Sequence, residues 1–297
     1  MPEVGPVTRA VGLVVEGAMA ASIPARRTGP QTGSGRMGSV AASKTRVLAV
    51  ANQKGGVAKT TTVASLGAAL AELGHRVLLV DLDPQACLTF SLGIDPEDLE
   101  LSVHHVLSKG LPASEVVIET DDGVDLLPAT IELARAEADL LTRTGREHVV
   151  RTALEELAES GARYDWVLLD CPPSLGVLTV AALTAADGVL VPLQCETLSH
   201  RGVGQLLDTV HDVRRFTNRG LEVWGVLPTL YDGRTNHARA VLDNVAATYR
   251  LDVLEPPIPK SIRFAEAPAV GRSILSTSRR HRGADAYRAV AASLTQR

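Results

Sequence analysis

The chain has only three cysteines, Cys87, Cys171 and Cys195, and no two of them form a CxxC pair. That spacing excludes a disulfide framework, provides no zinc or iron–sulfur motif, and fits a reducing cytoplasm. Aromatic residues make up 3% of the sequence, too few for a binder that stacks bases on a row of rings. No apolar run approaches the roughly 18 residues a membrane-spanning helix needs. The apolar segment 10–15 is interrupted by Glu16, so neither a signal peptide nor a membrane span is read there.

What is present is an ordinary globular composition: 297 residues, 45% hydrophobic, 22% charged, with 25 glycines. Disordered, collagenous and coiled-coil classes drop out on that basis. The formal net charge of −4 conceals a gradient. Lys plus Arg against Asp plus Glu is 6 to 2 over residues 1–46, 9 to 23 over 47–200, and 15 to 9 over 201–297. A basic surface toward the C-terminal third is compatible with a polyanionic partner gripped through its phosphates.

Residues 1–44 are rich in Gly, Ala, Pro, Ser and Arg and lack a sustained hydrophobic period, which predicts a disordered basic N-terminal arm. From 45 to 297 short β-rich runs alternate with helical ones. That pattern predicts one α/β domain, a mostly parallel twisted sheet with helices on both faces. Strands are expected over 47–51, 77–80, 124–127, 166–169, 188–191 and 223–227. Helices are expected over 60–73, 149–159, 203–215 and 238–249. In the first helix Val63, Leu66, Leu70 and Leu73 recur at spacings of three and four, and Gly74 follows as its stop, a helical stripe with a glycine terminator.

Between the first strand and that helix lies Asn52-Gln53-Lys54-Gly55-Gly56-Val57-Ala58-Lys59-Thr60-Thr61-Thr62. Glycines let backbone N–H groups converge on phosphate oxygens, and the helix N-terminus adds its positive end. Lys59 supplies charge and Thr60 offers a hydroxyl to Mg²⁺. A chance match to Lys-Gly-Gly-x-x-Lys-[Ser/Thr] is expected in on the order of one chain in a thousand. The fold expected is therefore a single P-loop NTPase domain. Gln53 and Ala58 stand where the ordinary loop has its two glycines, which makes this the deviant form of the motif. Two further strands run into carboxylates: Val77-Leu-Leu-Val-Asp81-Leu82-Asp83, with Asp83 lying 24 residues beyond Lys59, and Trp166-Val-Leu-Leu-Asp170-Cys171-Pro172-Pro173-Ser174. Open α/β sheets bind ligands at that carboxyl edge.

On these residues the chain resembles the ParA/MinD family of deviant Walker A P-loop ATPases, most closely the chromosomal ParA (Soj) branch, over nearly all of 45–297. The resemblance implies ATP and Mg²⁺ as cofactors, with the nucleotide held by Lys54, Gly55, Gly56, Val57, Ala58, Lys59, Thr60 and Thr61. It implies that Lys54, the signature lysine, reaches the nucleotide of a second subunit, so that ATP binding and homodimerisation are one equilibrium. Asp83 matches the catalytic aspartate that positions the attacking water, and Asp81 supports its loop. Asp170 matches the Walker B aspartate, holding Mg²⁺ through water together with Thr60, and Cys171 is a buried bystander. Most family members carry glycine at 58, so Ala58 is a small departure toward the phosphates; an alanine that keeps helical dihedrals there would be tolerated. Thr229 and Pro259 fall where relatives contact the adenine.

The resemblance also implies binding to non-specific double-stranded DNA through Arg234, Lys260 and Arg263, and release by a ParB-like activator protein. The implied setting is cytoplasmic and nucleoid-associated, with no membrane partner. The segment Thr197-Leu-Ser-His-Arg201 departs from the two tyrosines common in that branch, which bears on partner preference and leaves room for a paralogue moving another cargo. A MinD-like positioning ATPase at a membrane or scaffold is the alternative. The apolar face of the last helix is mostly alanine, too small an area to hold a bilayer. A metabolic P-loop ligase would need groups for a small carboxylate substrate, and none stands out.

Overall fold

In the computed structural model, residues 44–196, 199–234 and 236–297 are described. The expected arm, apart from Lys44, and Thr197 and Leu198 lie outside them.

Seven strands form one sheet: β1 (Arg46–Val50), β2 (Val77–Asp81), β3 (Ile118–Glu119), β4 (Asp125–Leu127), β5 (Trp166–Asp170), β6 (Gly188–Gln194) and β7 (Glu222–Thr229). Their order is β3-β4-β2-β5-β1-β6-β7. Only the β3–β4 pair is antiparallel; β4-β2-β5-β1-β6-β7 is parallel throughout. The helices are α1 (Lys59–Glu72), α2 (Cys87–Ser91), α3 (Val103–Lys109), α4 (Leu133–Leu140), α5 (Val149–Glu159), α6 (Val177–Ala185), α7 (Ser199–Phe216), α8 (Asn236–Tyr249), α9 (Arg263–Glu266), α10 (Ile274–Thr277) and α11 (Arg282–Thr295).

The central strands are apolar through their middles, with charge only at their ends (Arg46, Asp81, Asp170), because both faces of the sheet are covered. Alternate residues feed two separate cores. Leu48, Val50, Leu79 and Leu168 pack with α1 and α11 on one side. Ala49, Leu78, Val80, Val167 and Leu169 pack with α3 to α8 on the other. Tyr287 of α11 is fully buried in the first core, and its hydroxyl lies 3.0 Å from that of Thr62 on α1.

Helix α1 starts one residue earlier than its sequence period suggests and ends at Glu72, with Leu73 as cap. Gly74 then adopts φ +89°. Its N–H donates to Ala71 O at 2.9 Å and that of His75 to Leu70 O at 3.2 Å, a Schellman stop of the kind a glycine at this place allows. Strands β6 and β7 run two or three residues past their expected ends. β3, α2, α3 and α4 escaped the sequence reading, because short elements carry too few residues to establish a period.

Candidate nucleotide site and basic surface

The loop 52–58 leaves β1 at the carboxyl edge of the sheet and is anchored at both ends. Asn52 donates from its amide to Pro192 O at 2.7 Å, and its Oδ1 accepts from the Lys54 N–H at 3.0 Å. At the far end Thr229 donates from its hydroxyl to Val57 O at 2.9 Å. Neighbouring strands β6 and β7 therefore set where the loop sits. Gly56 has φ +73°, and a Cβ on Gly55 or Gly56 would meet nothing within 4 Å, so open space lies in front of the loop backbone. No side chain caps α1, which leaves its first-turn N–H groups for an anion. Lys59 is buried, with Nζ 3.5 Å from Lys54 O.

Ala58 does not meet the condition under which an alanine is tolerated there. It takes the left-handed conformation, φ 62° and ψ 37°, rather than a helical one. The chain must reverse direction between the loop and α1, and this residue makes the bend. Without glycine there, the Cβ–carbonyl clash costs about 1–2 kcal/mol. Ala86, cap of α2 beyond Asp83, repeats the feature at φ 52° and ψ 32°.

Asp81 and Asp170 stand abreast on β2 and β5, fully buried. Asp81 accepts from the Thr89 N–H at 2.9 Å, the Thr89 hydroxyl at 2.8 Å and the Asp83 N–H at 3.1 Å. It thus organises the loop that presents Asp83, as its sequence position suggests. Burial pushes its carboxyl up to about 6 against those hydrogen bonds. Among the described residues the two buried oxygens of Asp170 have no direct hydrogen-bond partner. Burial, and then the charge of Asp81, raises its carboxyl well above the usual range, while the Thr60 hydroxyl and Lys59 offset part of that cost. A desolvated carboxylate beside a threonine hydroxyl is a hard oxygen set that fits a divalent cation of the Mg²⁺ type.

Asp83 is half-buried and closes a local turn, its Oδ1 accepting from the Gln85 N–H at 3.0 Å. Cys171 is fully buried, and burial and then the Asp170 charge push its thiol far up, which leaves it no thiolate character for nucleophilic chemistry. Sequence reasoning missed Glu137 on α4. A Cβ on Gly176 would fall 2.5 Å from its Oε1, and burial and the Asp83 charge raise its carboxyl. Leu133, Ala136 and Leu140 of that helix are buried at spacings of three and four, but three positions are too few to establish a period from the sequence.

Lys54 pairs with a residue just beyond β6. Its Nζ pairs with Glu196 Oε2 at 2.5 Å, the side chains 32% and 53% exposed. On the opposite flank, 228–231 and 258–260 run side by side: Ile258 donates from its N–H to Pro228 O at 2.8 Å and Tyr231 to Ile258 O at 2.9 Å. Thr229 is buried with its hydroxyl turned to the loop, while Pro259 lines a cavity of about 780 Å³ beside Tyr231, Arg234, Lys260 and Arg282. Arg234 and Lys260 are brought together there. Arg263, on α9, pairs with Glu266 at 2.8 Å and does not line that cavity.

A deviant phosphate loop between β1 and α1, facing two carboxylates at the ends of β2 and β5, defines a P-loop ATPase of the ParA/MinD class. Residues 45–223 match the AAA domain family AAA_31. The sporulation initiation inhibitor protein Soj of Bacillus subtilis is 43% identical over 243 residues, covering 82% of this chain and 95% of that protein. The chromosome partitioning protein ParA of Caulobacter vibrioides is 42% identical over 249 residues, covering 84% and 93%. A solved Mycobacterium smegmatis protein with bound ADP and magnesium, named cobyrinic acid a,c-diamide synthase, is 56% identical with a TM-score of 0.76, covering 85% and 95%. The chain belongs to the ParA/MinD family of P-loop ATPases, on the Soj and ParA branch.

Proposed function

We propose that the chain is a partitioning ATPase of ParA type: ATP with Mg²⁺ assembles a sandwich homodimer, the dimer binds duplex DNA without regard to sequence, and a ParB-like partner provokes hydrolysis and release. The observation that carries this reading is the second lysine. Lys59 is buried at the loop, and Lys54 pairs instead with Glu196 at 2.5 Å, an arrangement that supports a role for its charge toward a neighbouring subunit.

In this reading the backbone from Gly55 to Thr61 and the Lys59 ammonium bind the phosphates. Thr60 and, through water, Asp170 hold Mg²⁺, which supplies charge neutralisation for phosphoryl transfer. Asp83 orients the attacking water. Asp81, through Thr89, keeps the Asp83 loop in place, and Thr229 and Pro259 flank the base. Arg234, Lys260 and Arg263 contact DNA phosphates, so affinity falls steeply with salt. The same cycle places the protein on the nucleoid in the cytoplasm. Among the described residues no helix is long and apolar enough to cross a membrane.

The test is binding to random-sequence duplex at two salt concentrations with no nucleotide, with ADP and with ATP–Mg²⁺, alongside Lys54→Ala and Arg263→Glu. Binding that requires ATP, weakens with salt and is lost in both variants supports the reading. ATP hydrolysis with no DNA binding under any condition overturns it. Because the 56% identical relative is named a synthase, cobyrinic acid belongs in the same assay. Turnover that requires it would replace partitioning with amide synthesis.

A further inference from the structure

We infer that Asp232 is a built-in stand-in for a DNA phosphate: it occupies the Arg234 guanidinium and thereby sets how tightly the basic cavity takes duplex DNA. The inference rests on the DNA-binding reading above and adds to it a residue of opposite charge.

Arg234 lies just beyond β7. Its Nε donates to Asp232 Oδ1 at 2.9 Å and its Nη2 to Oδ2 at 2.7 Å. Two parallel N–H groups on two oxygens of one anion is also how a guanidinium grips a phosphate. The carboxylate therefore fills the donor pair a DNA phosphate would use. Burial does not enforce this pairing, because the Arg234 side chain is 89% exposed. The Asp232 Oδ1 also accepts from the Arg234 backbone N–H at 3.2 Å, so the acid is fixed in front of the arginine by a local turn.

Charge around the cavity points the same way. Its lining carries Arg234, Lys260 and Arg282 against Asp232 and Asp285. Asp285 is engaged with Arg288 at 2.9 Å, whereas Asp232 feels Arg234 first and also Lys260, and its carboxyl is held down to about 2. It stays ionised at every pH a cell presents. An incoming phosphate must displace it from the guanidinium and then sit near the displaced charge. Both effects weaken DNA binding, and both vanish when the charge is removed.

Asp232→Asn is the direct test, because the amide oxygen still accepts from the Arg234 N–H and the turn is kept. Duplex affinity is measured by fluorescence anisotropy on the full chain with ATP–Mg²⁺, at two salt concentrations. Exposed ion pairs of this kind are modest, so the expected gain is about three- to tenfold for a dimer that engages two such sites. Asp285→Asn removes the same charge from the same cavity and is expected to gain less than about twofold, the part due to the general field alone. In an Arg234→Gln background, Asp232→Asn is expected to change nothing beyond the Asp285→Asn control.

Equal gains in Asp232→Asn and Asp285→Asn, or a gain that survives Arg234→Gln, would reduce the effect to net charge and overturn the inference. Wild-type binding that Asp232→Asn leaves unchanged also overturns it while the DNA reading stands. If neither wild type nor variant binds duplex in any nucleotide state, both fall together.

Discussion

Replacing Ala58 with glycine is expected to make the nucleotide-free protein more stable, although it deletes a methyl group and adds chain entropy. Ala58 holds φ 62° and ψ 37°, a conformation that costs an L-residue about 1–2 kcal/mol and glycine almost nothing. Against that gain, glycine loosens the unfolded chain by about 0.4–1 kcal/mol. The net is a stabilisation centred on about 0.8 kcal/mol, within bounds of about 0 and 1.6 kcal/mol. For a domain of this size that raises the thermal midpoint by about 1–4 °C. Thermal unfolding of wild type and Ala58→Gly without nucleotide, followed by circular dichroism, measures it. Ala86→Gly, at φ 52°, is expected to act in the same direction. A lower midpoint in Ala58→Gly would refute the reasoning, since it would mean that the backbone at 58 is relaxed and the bend is made elsewhere. An Ala58→Gly gain that disappears when saturating ATP–Mg²⁺ is added would show instead that phosphate contacts offset the same strain.

Other outcomes follow from the same geometry. The carboxyl of Asp81 is raised from 3.8 to about 6 in the folded state, so the native protein holds that proton more tightly than the unfolded chain. Its contribution to stability is present below the ordinary carboxylate range and lost as pH rises through about 6. Without Mg²⁺, the thermal midpoint is expected to fall over that interval, and Asp81→Asn to flatten the fall; a pH series of melts checks both. Asp83→Ala is expected to keep ATP-dependent dimerisation and DNA binding and to lose turnover, and unchanged phosphate release would remove Asp83 from the mechanism. Asp170→Asn relieves a buried, raised carboxyl, so its melting point is expected to rise without ligand while the extra stabilisation by ATP–Mg²⁺ disappears. Tyr287→Phe breaks the 3.0 Å contact with Thr62 and is expected to cost about 1–3 kcal/mol, seen as a lower midpoint with unchanged nucleotide affinity.

The acidic pair explains why stability and ligand binding are linked here. Two carboxylates abreast on adjacent strands, both fully buried, cannot both ionise without a positive partner. Lys59 supplies part of it. In the proposed reading a divalent cation at Asp170 meets the remaining demand, and without it the fold is expected to be sensitive to pH.

The phosphate loop, the strands around it and both buried aspartates were legible in the sequence, because each is local. A loop between a strand and a helix needs its glycines, lysine and hydroxyl at consecutive positions. A strand covered on both faces must read as an unbroken apolar run, and an aspartate ending such a run must lie at the sheet's carboxyl edge. What the sequence could not display depends on chain reversals and on residues far apart. The left-handed turn at Ala58 is invisible in a residue type that is equally at home in a helix. Glu137 feels the charge of Asp83 because α4 packs beside α6, and its own helix is too short to establish a period. The pairings of Lys54 with Glu196, 142 residues away, and of Thr229 with the loop, 172 residues away, arise from strand order alone. Placing β6 and β7 next to β1 brings those side chains to the phosphate loop, and no spacing along the chain records which strand lies beside which.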